Sequence, residues 1–337
     1  MTIRELAEKI GVSPATISIV LNNKKGVKDE TRKMVQDAIK KYNFVPRSRS
    51  KQKKDRIIVV EFRKTGSLIE ENQGFIASII ETVEETLKNA DYEVTTLVAK
   101  ETAEAILQID DFAKYKGMIL IASEITKDIY PSLRDITIPF VSVDNHMLDF
   151  SYNSVCMNNY ENVLILLEYC QKLGHHRIGH FASADDFSNF TERSYYYEYC
   201  CKNLNIECRS EDEYTIPATL IGSCEELKEL LKNAKDLPDC FFADNDIIAL
   251  GAIKALKELG YKVPEDISVV GFDDIPYASI SQPALTTIHV QKEVMGKQAV
   301  HQLLAQINDA EFVPVKSRVT GRLVIRESVK DLTRNQK

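Results

Sequence analysis

The sequence predicts an α/β protein in two parts, an N-terminal three-helix head and a two-lobed core of doubly wound parallel sheets. Three observations predict it. Residues 1–56 carry 15 Lys/Arg against 6 Asp/Glu, net +9, while the rest of the chain carries 28 against 44, net −16. A basic head on an acidic body separates a part that seeks a polyanion from a part with another task. Inside the head, two short helical patterns are joined by a glycine-containing turn. Beyond Arg56, continuous apolar runs alternate with amphipathic stretches, the pattern of parallel strands covered on both faces by helices. A chain of 337 residues, 44% hydrophobic and 28% charged, is enough for two or three packed domains and is neither disordered, collagenous nor a coiled-coil rod.

In the head, Thr2 and Glu5 stand in capping-box order, and Ile3, Leu6, Ala7 and Ile10 recur at helical spacing, so a first helix starts at Ile3. Gly11 can take the left-handed conformation that ends it, and Ser13-Pro14 supplies an N-cap and a first-turn proline for a second helix to about Leu21. A third helix, from Asp29 to about Tyr42, is expected to bring Met34, Val35, Ala38 and Ile39 to one face. Ser13, Thr16, Ser18 and Asn22 lie on or near the start and outer face of the second helix, where short polar side chains and the helix N-terminus suit phosphates. The linker RSRSKQKKDR has six Lys/Arg, one Asp and no apolar residue, and Arg47 and Arg49 in it can track phosphates or enter the minor groove.

The core reads as strands at IIVVEF (57–62), YEVTTLVA (92–99), GMILIA (117–122), PFVSVD (139–144), RIGHFA (177–182), CFFA (240–243) and DISVVGF (266–272). Helices are expected between them, among others near Phe75–Ala90 and Ala103–Tyr115. Ligands of doubly wound sheets bind beyond the carboxyl ends of the strands. Ser123 and Glu124, Asp144 and Asn145, Asp244 to Asp246, and the pair Asp273-Asp274 stand there, and Arg193 follows the FASADDFSNFTE loop. Carboxylates, amides and a guanidinium suit a neutral polyhydroxylated ligand, whose hydroxyls both donate and accept. Any one of these strand-end residues could instead be a helix N-cap.

The seven cysteines form no C-x-x-C pair and read as thiols of a reducing cytosol. No signal peptide and no run of about 18 apolar residues is visible, so the chain is expected to be cytoplasmic, with no membrane partner. His176 and His180 sit across a turn and a strand and are not expected to converge on a metal, and no nucleotide loop or nucleophile elbow is present. The expectation is therefore no enzyme, no cofactor and no metal.

The head segment TIRELAEKIGVSPATISIVLNNKKGVKDETRKMVQDAIKKYNFVP, together with GMILIASE, LGHHRIGHFA and the stretch from PDCFFADNDIIALGAIKAL through GFDDIPYASISQPALTTIHV, resembles the lactose-repressor (LacI/GalR) family of bacterial transcription regulators. The resemblance implies a periplasmic-binding-protein-like core. It implies base contacts from Pro14, Ala15 and Ile19, and effector contacts from Asp144, Arg193, Asn245 and Asp273, with Phe75 stacking on the ligand. The chain departs from the family in lacking a hinge leucine and in carrying Tyr196 where relatives tend to have glycine. The expected division is a head at 1–45, a basic linker at 46–56 and an effector-binding and dimerisation core at 57–337. Its N-lobe takes in about 57–158 and 291–316, and its C-lobe about 159–288 and 320–332.

The function so implied is a homodimeric repressor whose affinity for a near-palindromic double-stranded operator responds to a small effector, a sugar, between the lobes. VKDLTRNQK at the end of the chain is too short for a heptad zipper, which favours dimer over tetramer. Two alternatives stay open: a ligand-independent DNA binder with a vestigial cleft, and a stand-alone sugar-binding protein.

Overall fold

A computed structural model describes residues 1–44, 54–65, 73–109, 111–147, 150–234, 236–309 and 311–336. The chain divides into two compact units, Met1–Lys54 and Asp55–Lys337.

The first unit is three helices, α1 (Ile3–Ile10), α2 (Pro14–Leu21) and α3 (Asp29–Lys41). The capping box forms in full: the Glu5 amide donates to Thr2 Oγ1 at 3.2 Å and the Thr2 amide to Glu5 Oε2 at 2.9 Å. Gly11 ends α1 at φ 70°. Leu6, Ala7, Ile17, Val20, Val35, Ala38 and Phe44 make the core of the head. Met34 does not join them and is 50% exposed. Val35 and Ala38 face inward, Ile39 packs half-buried against them, and Phe44, beyond the helix, closes the base on the side Met34 turns away from.

The second unit holds the strands β1 (Arg56–Arg63), β2 (Glu93–Lys100), β3 (Gly117–Ile121), β4 (Phe140–Val143), β5 (Asn153–Met157), β6 (Ile178–Ser183), β7 (Glu213–Ile216), β8 (Cys240–Ala243), β9 (Ser268–Val270), β10 (Thr287–His289), β11 (Lys316–Val319) and β12 (Arg322–Val324). Its α-helices are α4 (Gln73–Asn89), α5 (Ala103–Leu107), α6 (Asn159–Lys172), α7 (Ser188–Leu204), α8 (Leu220–Leu231), α9 (Asp246–Glu258), α10 (Pro276–Ile280) and α11 (Lys292–Asn308). One parallel sheet runs β11-β5-β4-β3-β1-β2 and a second runs β7-β6-β8-β9, with β10 and β12 forming a small antiparallel pair. This is the α/β architecture expected from the sequence. The chain leaves the first sheet after β5, returns to it from β10 through α11, and leaves again after β11, so three strands of chain join the lobes.

The apolar runs became strands because both faces are covered: Ile57, Ile58, Val59, Val60 and Phe62 are wholly buried. β2 is the edge of its sheet, and Leu97 and Val98 stay exposed there. The helix expected over Ala103–Tyr115 is corrected. It stops at Leu107, and only a 3₁₀ turn, Phe112–Lys114, follows Asp111, whose φ of 55° breaks helical continuity. The DISVVGF strand shortens to Ser268–Val270.

Candidate functional site

In the head, α2 is laid down by Ser13, whose Oγ accepts the Thr16 amide at 3.0 Å, and by Pro14 at the first helical position. Burying Ile17 and Val20 turns Pro14, Ala15, Ser18 and Asn22 outward, with Thr16 and Ile19 half-buried beside them. Asn22 Nδ2 donates to the Ser18 carbonyl at 2.7 Å. The sequence-named residues of the head thus share one exposed face with the N-terminus of α2. Exposed Lys24, Lys25 and Lys28 in the following loop were overlooked, although their charge was the available signal. Arg47 and Arg49, and the linker around them, lie outside the described residues.

In the core, Phe75, Ser123, Asp144, Arg193, Asn245 and Asp273 all line one cavity between the two lobes. β-strand ends deliver Ser123, Asp144, Asn245 and Asp273, α4 delivers Phe75, and α7 delivers Arg193. Asp144 Oδ2 accepts from Ser123 Oγ at 2.6 Å and Oδ1 from Asn189 Nδ2, across the lobes, at 2.9 Å. Burial, with the charge of Asp273 adding to it, pushes the Asp144 carboxyl up to about 6, against the pull of Ser123, Arg193 and Asn189. Asp144 and Asp273 also hold positive φ, 67° and 114°, a conformation that costs about 1–3 kcal/mol and that aspartate tolerates better than most residues.

Arg193 is the buried knot of the site. Its guanidinium lies 3.8 Å from the Phe272 ring centroid, Nε donates to Asn159 Oδ1 at 3.2 Å, one Nη donates to the Asp244 carbonyl, and the other is 3.5 Å from Asp273 Oδ1. Asn245 keeps the cap role weighed for it, since its Oδ1 accepts the Ile248 amide at 2.9 Å, and its amide end is what it can offer the cavity. The neighbouring acids point elsewhere. Asp244 bonds His180 and the Ser183 amide, Asp246 bonds Thr287 and the Ile275 amide, and Asp274 bonds His289 and Arg326. Tyr196 packs on Tyr160 at 5.4 Å and does not line the cavity, so the departure from the family pattern falls outside its wall.

Sequence reasoning missed Ile76, Met157, Phe187, Asn189 and Phe190 in the same lining. It also missed Lys292, buried 5.3 Å over the Phe75 ring with Nζ donating to the Asp273 carbonyl at 2.9 Å. A cation in the first turn of a helix opposes the helix dipole, and that was the signal for it. The cavity is about 30 Å³, the space of one or two waters.

Among the described residues no helix is long and apolar enough to cross a membrane. Residues 2–47 match the model of the lacI family of bacterial regulatory proteins, and residues 167–329 match that of a periplasmic binding protein-like domain. The chain is 30% identical over 339 residues to the HTH-type transcriptional repressor PurR of Actinobacillus pleuropneumoniae serotype 3 (strain JL03), covering 99% of each. Its identity to the protein of that name from Haemophilus influenzae (strain ATCC 51907 / DSM 11121 / KW20 / Rd) is also 30%, over 98% of this chain and 99% of that one. The fold is shared with the transcriptional regulator CelR–cellobiose complex (TM-score 0.72, 23% identity, 97% of this chain and 99% of that one). It is shared also with the Lac repressor dimer bound to operator and the anti-inducer ONPF (TM-score 0.71, 22% identity, 98% and 99%). The resemblance read from the residues therefore holds, and the chain belongs to the lacI family of bacterial regulatory proteins.

Proposed function

We propose that the chain is a DNA-binding transcriptional repressor whose operator affinity is set by a small neutral ligand, a sugar, taken up between the lobes of the core. The observation that carries this reading is the convergence of Phe75, Ser123, Asp144, Arg193, Asn245 and Asp273 on one interlobe cavity. Hydroxyls can donate to Asp144 and Asp273 and accept from Arg193 and Asn245, while an aromatic face suits the C–H face of a pyranose. A cavity of about 30 Å³ is far below the roughly 300–1,000 Å³ of ligand sites, so the ligand enters a more open arrangement of the lobes. It must replace the bonds between Arg193 and its protein partners and between Asn189 and Asp144. Its differential affinity for open and closed lobes is what shifts operator affinity.

The working frame is a head at 1–45, a strap at 46–56 and a core at 57–337. Ser13, Thr16, Ser18, Asn22, Arg47 and Arg49 would serve phosphates, and Pro14, Ala15 and Ile19 base edges. Pro14 and Ala15 offer no bidentate donors, so readout leans on apolar contacts such as thymine methyls. A homodimer would place two heads on the half-sites of a near-palindromic operator. The Lac repressor dimer on operator is the structural parallel. Seven free cysteines, six of them buried, suit a reducing cytoplasm.

The reading requires no catalysis, cofactor or metal. Ser268 Oγ lies 3.4 Å from His175 Nε2, and His175 Nδ1 lies 2.6 Å from Asp239 Oδ1, a catalytic-looking order. Ser268 and His175 are wholly buried, however, and clasp the C-terminal segment through the Lys330 backbone: His175 Nε2 donates to its carbonyl at 3.0 Å, and Ser268 Oγ accepts its amide at 3.0 Å.

The test is a thermal-shift series on the full chain with glucose, cellobiose, glucose 6-phosphate and hypoxanthine, followed by binding to a near-palindromic operator selected from random duplex DNA. A neutral sugar should raise the melting temperature by several degrees and change operator affinity by about tenfold or more. Salt-sensitive DNA binding that no compound alters would give instead the ligand-independent binder, the reading that the closed cavity favours as second choice.

A further inference from the structure

A second interlobe space lies on the other side of α7. The consecutive residues Glu192 and Arg193 look opposite ways, Arg193 into the inner cavity and Glu192 into a groove of about 640 Å³, within the size range of small-molecule sites. The two spaces have no lining residue in common. Tyr130 and His146 contribute from the N-lobe, and Ser188, Tyr195 and Tyr196 from α7.

Two buried polar atoms of this wall have no hydrogen-bond partner among the described residues, His146 Nδ1 and Ser188 Oγ. His146 is 7% exposed and Ser188 9%. A buried polar group left unpaired costs about 1–3 kcal/mol, so two on one wall ask for something to pair with. Burial holds the His146 imidazole below its ordinary range, against the pull of Glu192, so it is neutral at pH 7. Its Nε2 lies 3.6 Å from Glu192 Oε1, and in the tautomer with the proton on Nε2 the Nδ1 atom is an acceptor. Glu192 is itself held by Arg318 at 2.7 Å and Asn159 at 2.9 Å, so it is a fixed wall and not a mobile counter-ion. The groove also carries Asp128 and Asp186 against one cation, Lys127, which disfavours an anion.

We propose that this groove is a second ligand site, distinct from the inner cavity, for a neutral polyhydroxylated ring such as a pyranoside. With the His146 and Ser188 side chains turned toward the groove, one hydroxyl donates to His146 Nδ1, another exchanges a hydrogen bond with Ser188 Oγ, and the ring lies against the tyrosines, of which Tyr195 is 62% exposed. Because the groove draws on both lobes, its occupant holds them in one arrangement and acts on the same equilibrium as a ligand of the inner cavity.

The test is saturation-transfer NMR and calorimetry on the full chain with methyl β-D-glucopyranoside, cellobiose and glucose 6-phosphate. Thr191→Trp fills the groove from an exposed lining position and threatens the fold least, Ser188→Ala removes one orphan hydroxyl, and Arg193→Lys changes a residue that lines the inner cavity and not the groove, keeping its charge. A neutral sugar should bind, weaken about tenfold or more in Thr191→Trp and a few-fold in Ser188→Ala, persist in Arg193→Lys, and outbind the phosphate. Absence of binding by either neutral sugar overturns the proposal. So does binding that ignores Thr191→Trp and Ser188→Ala. Binding that vanishes only in Arg193→Lys overturns it too, while leaving the proposed function of the inner cavity standing.

Discussion

The polar groups at the ends of α1 and α2 find their hydrogen bonds within four residues along the chain, Thr2 with Glu5, Ser13 with Thr16, and Asn22 with Ser18. Those that hold Asp144 and Arg193 reach across 21 to 80 residues and from one lobe to the other. The head therefore presents a finished surface to a large anion and can bind it without undoing itself. The inner cavity is a closed knot that a ligand must untie. Stability and binding are separable in the first region and coupled in the second.

The largest break of that contrast is Arg193→Ala. It removes the cation facing Asp273 in a site where Arg193 is 2% exposed, and loss of one buried ionic partner costs about 3–5 kcal/mol. Urea unfolding of the full chain should show the core transition at a lower midpoint, and sugar should no longer alter operator binding. An unmoved midpoint would mean that the cavity is not held by this residue. The counterpart in the head is Leu6→Ala. With seven buried residues in that core, a loss of about 2–5 kcal/mol is expected to unfold the head and abolish DNA binding, leaving the core transition where it was. Calorimetry resolves the two transitions, and a shift of both would contradict the independence of the units.

Asp144 sharpens the contrast through pH. Its folded carboxyl titrates near 6 and its unfolded one near 3.8, so the folded state holds the proton longer. The stability this contributes is complete below pH 3.8 and is lost as pH rises through 6, at most about 3 kcal/mol. Asp144→Asn stays neutral throughout, so its stability relative to the parent should climb between pH 4 and pH 7. Denaturation at four pH values across that window reads the difference, and a flat difference would show that burial does not perturb this carboxyl.

The same separation of local from distant partners explains what was legible in the sequence. Thr2, Glu5, Gly11, Ser13 and Pro14 announce α1 and α2 because a capping box, a left-handed glycine and a first-turn proline act on neighbouring residues. IIVVEF announces β1 because burial on both faces needs an unbroken apolar run. The strands NSVCM, EYTI and KSRV are short and mix polar with apolar residues, and KSRV becomes β11 through its register with Ser154–Met157, some 160 positions earlier. Doubly wound sheets present their carboxyl ends to one cleft, which pointed to the strand-end residues as a group, Ser123 among them, and the family resemblance picked out Asp144, Asn245 and Asp273. Asn189 and Phe190 were not, since their direction is set by how their helix seats on a lobe they do not share a strand with.

The smallest expected effect tests the head's half of the contrast most closely. Ser13 Oγ accepts the Thr16 amide and also shares a hydrogen bond with Thr16 Oγ1 at 2.9 Å, so one hydroxyl proton of the pair is held between them and the other is left to donate outward. Ser13→Ala removes the cap and a hydroxyl that serves phosphates, so it should cost the head about 1 kcal/mol and lower operator affinity by more than the head's folded fraction falls. Thr16→Val takes one hydroxyl off the outer face and keeps the cap. It should leave the melting of the head within about 0.5 kcal/mol and weaken DNA binding alike for every sequence, as loss of a phosphate contact does. If the two substitutions instead lowered stability and affinity in the same proportion, the hydroxyls would act only through folding, and the head would be coupled in the way the core is.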